Sequence, residues 1–122
     1  MQPVMTLAQA EMFCLSWLSA FMGDDPDQLL AYYHRDAFYL DPDFPHGAAG
    51  HDALKKAFTM ILKKYAGWKI EVQKITLTQN GFRLEWKGIF PTPNGKTIRF
   101  GYDIVEIKEN KITRNEVYID QK

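Results

Sequence analysis

The 122-residue sequence has one cysteine, no excess of either charge and no apolar run long enough to span a bilayer, and each shortage removes a class of function. With Cys14 alone, an internal disulfide and a thiolate metal cluster are both excluded. A lone cysteine also fits a reducing compartment, so a cytoplasmic location is expected. Lys and Arg together number 15, as do Asp and Glu, so the basic footprint of a nucleic-acid or anionic-membrane binder is missing and neither partner is expected. Aromatic residues, by contrast, are plentiful: 3 Trp, 6 Tyr and 8 Phe suit a packed core or the wall of an apolar cavity, and composition does not choose between them.

Cys14 lies between Phe13 and Leu15, which reads as a buried thiol acting as a small hydrophobe. No neighbouring His or cation supports a nucleophilic role. The apolar opening around it has no basic stretch before it and contains Glu11, so it reads as a helix of the folded domain and not as a secretion signal.

Thr6 and Gln9 form a capping box, and Ala10, Phe13, Cys14, Trp17, Leu18 and Phe21 follow at helical spacing, which predicts a first helix over about 6–22. Asp25 and Pro26 restart the chain as N-cap and first helical residue of a short second helix over about 26–34. His34 then falls where it would meet that helix's C-terminal dipole, a structural role. A strand is expected over 37–41. Pro42 ends it and opens a loop over 43–50 that could cover a cavity mouth. Leu54, Ala57, Phe58, Ile61, Leu62 and Tyr65 share one face of a third, amphipathic helix whose other face is lysine-rich, closing at Gly67. His51 at its start is expected near the N-cap, in water.

From Trp68 the pattern alternates. A change of phase between Val72 and Ile75 predicts a bulge near Gln73 and Lys74, where the sheet bends. Asn80-Gly81 marks a hairpin, Phe82 to Phe90 a one-sided strand, and two further strands over about 97–108 and 112–120 meet at Glu109-Asn110. The expected architecture is therefore one α+β domain over 1–122, with three N-terminal helices on a curved, mainly antiparallel sheet.

That order of elements resembles the cone-shaped, cystatin-like fold of the nuclear transport factor two-like proteins. Three local strings are more specific: Gly23-Asp24-Asp25, the run from His34 to Pro42, and the ending from Asp103 to Ile112. These look like the SnoaL-like polyketide cyclase and ketosteroid isomerase branch. The resemblance implies a pocket between helices and sheet, cofactor-free proton-transfer chemistry, a small apolar or polycyclic ligand, and frequent homodimers through the open sheet face. It matches Asp41 to the general base of the isomerases and Asp103 to their protonated oxyanion-hole aspartate. Trp17 stands where the isomerases carry a tyrosine, and an indole N–H lacks phenol acidity, which counts against steroid isomerisation.

On the residues themselves, an aspartate inside a strand beside Val105 and Ile107 would be desolvated if that face lines a cavity. Otherwise Asp103 would be turned to water or paired with Arg99 or Arg114. Asp41 before Pro42 is equally explained by an Asx-type turn. If both carboxylates meet in one pocket, their environments can separate a base from an acid. Trp17, Phe21, Phe44, Phe58, Leu62 and Trp86 are candidates for the ligand-binding wall, although each taken singly is better explained by core packing; His46 could reach the mouth. No His pair has metal-ligand spacing and no glycine-rich phosphate loop follows a strand, so neither metal nor nucleotide cofactor is expected. Epoxide hydrolases of this fold use an Arg-x-Asp on a central strand and another Asp on the last. Glu85-Trp86-Lys87 and Glu116-Val117-Tyr118 stand there instead. The alternative to an enzyme is a non-catalytic binding or dimerisation module of the same fold.

Overall fold

A computed structural model describes residues 2–120. Helix α1 (Leu7–Phe21) begins at the expected capping box: the Thr6 side chain accepts from the Gln9 backbone and Gln9 returns the bond. Its apolar stripe buries Ala10, Cys14, Trp17, Leu18 and Phe21. Helix α2 (Pro26–Leu30) is capped by Asp25, whose carboxylate accepts from the Asp27 N–H at 2.9 Å. It stops four residues short of His34. The chain is drawn into strand β1 (Tyr33–Asp41) because Tyr33 is buried and pairs with Ile112, a tertiary gain that outweighs local helical preference. His34 therefore lies in β1, not at a helix end, and its Nδ1 accepts from the Asp36 N–H at 3.2 Å.

The segment expected to be a loop is strand β2 (Phe44–Ala49), antiparallel to β1 at the sheet edge. Pro45 is tolerated there because an edge strand can spare an N–H. Gly47 is required: its φ is +80° and a Cβ would lie 2.4 Å from the Phe38 ring. Helix α3 (His51–Lys64) then buries Leu54, Ala57, Phe58, Ile61 and Leu62 and turns its lysines outward. His51 is not simply solvated, since its Nε2 lies 2.9 Å from the Tyr33 carbonyl and ties α3 to β1.

Strands β3 (Lys69–Thr78), β4 (Gly81–Thr92), β5 (Gly95–Lys108) and β6 (Lys111–Ile119) form a meander. The bulge falls between Val72 and Lys74, where the change of phase placed it. The first hairpin turns at Gln79 and Asn80, one residue earlier than Asn80-Gly81, because Thr78 pairs with Gly81. Glu109 and Asn110, with φ of 54° and 65°, make the two-residue hairpin expected there. The six strands run β2-β1-β6-β5-β4-β3, antiparallel except for β1 against β6. The result is an α+β cone: α1 packs on β3, α3 packs on β1 and β2, and the core lies between helices and sheet. No helix among the described residues is long and apolar enough to cross a membrane.

Candidate functional site

Strand alternation decides which side chains face the interior. Along β5, Gly101, Asp103, Val105 and Ile107 turn inward and Tyr102 and Ile104 outward. Asp103 thus enters the core with 5% of its surface exposed. Its Oδ1 accepts from the Trp86 indole N–H at 2.8 Å and its Oδ2 from the Asn115 amide at 3.0 Å. Trp86 reaches that position because its cross-strand neighbour is Gly101; a Cβ there would lie 2.5 Å from the indole ring.

Behind Asp103 runs a buried hydrogen-bond chain. The Trp17 indole donates to the Tyr33 hydroxyl at 3.2 Å, Tyr33 donates to Asn115 Oδ1 at 2.8 Å, and Asn115 donates to Asp103. Because an indole can only donate, it fixes the direction of the whole chain, and the Asn115 amide presents N–H to the carboxylate. Burial pushes Asp103 up to about 6, with the Asn115 and Trp86 bonds pulling against it and the Asp41 charge adding to it.

Asp41, at the end of β1, is 8% exposed. Its Oδ1 accepts the backbone N–H groups of Asp43 and Phe44 at 2.8 and 2.9 Å, the Asx-type turn that its place before Pro42 allowed. Its Oδ2 accepts from the Tyr39 hydroxyl at 2.5 Å. Burial raises its pKa, and these three bonds hold the rise back.

Both carboxylates line one cavity of about 70 Å³ between α1, α3 and the sheet. Its mouth carries an aromatic rim: Tyr65 and Trp68 stack with centroids 5.2 Å apart, and Phe90 lies 5.4 Å from each. Asp43 stands at the rim, held by Lys64 Nζ at 2.9 Å and the Tyr65 hydroxyl at 2.7 Å.

Of the side chains expected on the wall, Phe21 and Trp86 are there with the two aspartates. Trp17, Phe44, His46, Phe58 and Leu62 are not. Trp17 is fully buried and spends its N–H on Tyr33. Phe58 is packed against Tyr33 and Tyr39, at 4.8 and 5.3 Å, and Leu62 is also buried away from the opening. His46 is exposed on the edge strand, and Phe44 is half-buried beside it, its backbone serving Asp41. Sequence reasoning missed Tyr39, Trp68, Phe90 and Asn115. Tyr39 was open to detection, being two residues before Asp41 on the same strand face, and Asn115 was too, alternating with Val117 and Ile119. Asp103 forms no salt bridge among the described residues; Arg114 is occupied with Glu116 on the outer face. Cys14 is buried and its thiol is pushed up to about 12, an inert packing residue. Among the described residues no set of His, Cys, Asp or Glu converges as a metal site.

The sequence pattern of the SnoaL-like domain matches residues 15–115. The chain belongs to the SnoaL-like family. Solved structures agree at the level of fold. A nuclear transport factor two-like protein from Anabaena variabilis is 15% identical with a TM-score of 0.81, covering 98% of this chain and 96% of its own. A ketosteroid isomerase-fold protein from Catenulispora acidiphila, crystallised with trimethylamine, is 13% identical with a TM-score of 0.76 over 87% and 83%. TerC, co-crystallised with polyporic acid, is 15% identical with a TM-score of 0.73 over 91% of each chain. No curated protein matches the sequence. This SnoaL-like domain is therefore tied to its family by sequence and fold, and its chemistry has to be argued from its own cavity.

Proposed function

We propose that this SnoaL-like domain binds a small, largely apolar molecule in its cavity and, without a cofactor, moves a proton on it in an isomerisation, cyclisation or dehydration. The observation that carries this reading is that Asp41 and Asp103, far apart in sequence, line the same apolar space. Their surroundings differ in the sense that acid–base work requires. Three hydrogen bonds favour the ionised form of Asp41, which suits a base, whereas Asp103 at about 6 exchanges its proton near neutral pH and suits the acid. Small molecules bound to two proteins of the same fold, trimethylamine in one and polyporic acid in the other, support a small ligand here. Phe21 and Trp86 would provide wall contacts, and a polycyclic ligand would require the rim rings to move, because about 70 Å³ is small for one. A cytoplasmic location belongs to the same reading and rests on Cys14 as the sole cysteine.

The test is turnover of a substrate found by screening small carbonyl and alkene compounds. Asp41→Asn and Asp103→Asn should each lower kcat at least about a hundredfold, the scale of acid–base catalysis, while the fold persists. Unchanged turnover in both variants would end the catalytic assignment.

A second reading, a non-catalytic module that dimerises through the outer sheet face, is favoured by one observation. Ile98, Phe100 and Tyr118 are exposed there, at 52%, 48% and 37%, close to Ile89. Light scattering should then give a dimer mass that Phe100→Lys reduces to that of a monomer.

A further inference from the structure

We propose that the ligand of this cavity is a cation, a small alkylated ammonium whose apolar groups lie against the aromatic wall and whose charge is met by Asp41 and Asp103. The inference rests on the pocket reading above and names the class of molecule that fits it.

The first line of argument is the state of the hydrogen-bond donors. Four lining side chains can donate, and each is already committed. Tyr39 donates to Asp41, Tyr65 to Asp43, Trp86 to Asp103, and the Trp68 indole to the Phe21 carbonyl at 3.0 Å. Among the described residues no Lys, Arg or His lines the cavity. An anionic ligand would therefore face two carboxylates and no cationic side chain, and a carbonyl would find a free side-chain donor only in the protonated form of Asp103. The unused capacity is on the acceptor side: Asp103 accepts two bonds, and an ionised carboxylate has about four lone-pair sites.

The second line is charge. Asp43 at the rim is balanced by Lys64 at 2.9 Å. Among the described residues neither Asp41 nor Asp103 has a basic partner within ion-pair distance, and the charge on Asp41 works against ionisation of Asp103. A buried carboxylate without a counter-ion is costly, and a bound cation removes that cost.

The third line is the aromatic wall. Tyr65, Trp68 and Phe90 at the rim and Trp86 within supply electron-rich ring faces of the kind that hold alkylated ammonium groups. An ammonium that keeps an N–H would also donate a hydrogen bond from it to Asp103.

Choline and its uncharged isostere, with carbon in place of nitrogen, make a test on the unaltered protein. Binding is followed by calorimetry and by the fluorescence of Trp68 and Trp86. Choline should bind at least about tenfold more tightly than the isostere, since the two differ only in charge. Its affinity should also depend on pH. Cys14, Tyr33, Tyr39 and Asp41 are the titratable groups around Asp103, with Trp86 and Asn115 as its neutral partners. Burial pushes the thiol and both phenols further up, away from the working range, so among these groups Asp103 is the one whose charge is expected to change near pH 6. Choline affinity should therefore fall about tenfold on acidification, as Asp103 gains its proton near 6.

Equal affinity for the two compounds, or no loss in acid, would overturn the cationic assignment and leave the pocket reading standing. Absence of binding by both would overturn the two together. Asp103→Asn should abolish the preference for choline while keeping affinity for the isostere; if that variant does not fold, the comparison on the unaltered protein still decides.

Discussion

The half of the interior around Trp17 and the half around Trp68 are built from the same kinds of residue, yet one is filled and the other holds a hollow. Trp17 has Phe13, Phe21 and Phe82 around it at 5.9–6.3 Å, and its indole N–H starts a hydrogen-bond chain that stays within the protein as far as Asp103. Trp68 has Tyr65, Phe90 and Phe21 beside it at 5.2–5.7 Å, but these rings edge an opening that Asp41, Asp43 and Asp103 also line. Aromatic content alone does not distinguish a core from a binding wall. What does is whether the polar groups among the rings are spent on one another or left facing space.

That contrast is open to attack from both sides. The largest effect is expected in the filled half. Phe58→Ala removes a fully buried ring packed on Phe21, Tyr33 and Tyr39 and should cost about 3–5 kcal/mol in urea unfolding, without abolishing ligand binding by the refolded protein. A loss below about 1 kcal/mol would mean that this half is not close-packed.

The next effect comes from Asp103. Its folded-state pKa of about 6 lies above the ordinary 3.8, so the fold holds that proton more tightly than the unfolded chain does. The stabilisation it contributes is present below about pH 4 and lost as the pH rises through 6, on the order of 3 kcal/mol in all. Asp103→Asn removes the titration, so the variant should gain on its parent by roughly that amount between about pH 4 and pH 7. A constant difference across that range would show that the carboxyl is not desolvated.

The smallest effect belongs to the rim. Lys64→Ala breaks a half-exposed pair with Asp43 and should cost at most about 1 kcal/mol, while making entry of ligand faster in stopped-flow fluorescence. An unchanged entry rate would separate the rim latch from access to the cavity.

Much of this architecture was legible in the sequence, for identifiable reasons. The capping box at Thr6, the apolar stripe of α1, the change of phase at Gln73 and the Glu109-Asn110 hairpin are local signals, and each corresponds to the expected element. Where local and tertiary preferences disagree, the tertiary ones prevail: α2 yields to β1 because Tyr33 is pulled inward, and residues 44–49 pair as an edge strand despite Pro45 and Gly47. Asp103 was recognisable as an anomaly, a carboxylate in phase with Val105 and Ile107 on a strand. Its partners were less so. Hydrophobic periodicity shows which face turns inward, but not that Trp17 and Phe58 fill one half while Trp68 and Phe90 leave room in the other, because that difference arises only when α1, α3 and the bent sheet meet.

The side-by-side placement of β1 and β6 has a consequence for how the protein comes into being. The Tyr33–Asn115 bond closes a loop of 82 residues, and the parallel pairing around it joins β1 to β6. On a ribosome, helices and early hairpins can assemble as they emerge, but the Tyr33 hydroxyl has no amide to meet until Asn115, 82 residues further on, has been made. Contacts of such long separation are entropically slow to form, so this closure is the step expected to govern maturation of the interior.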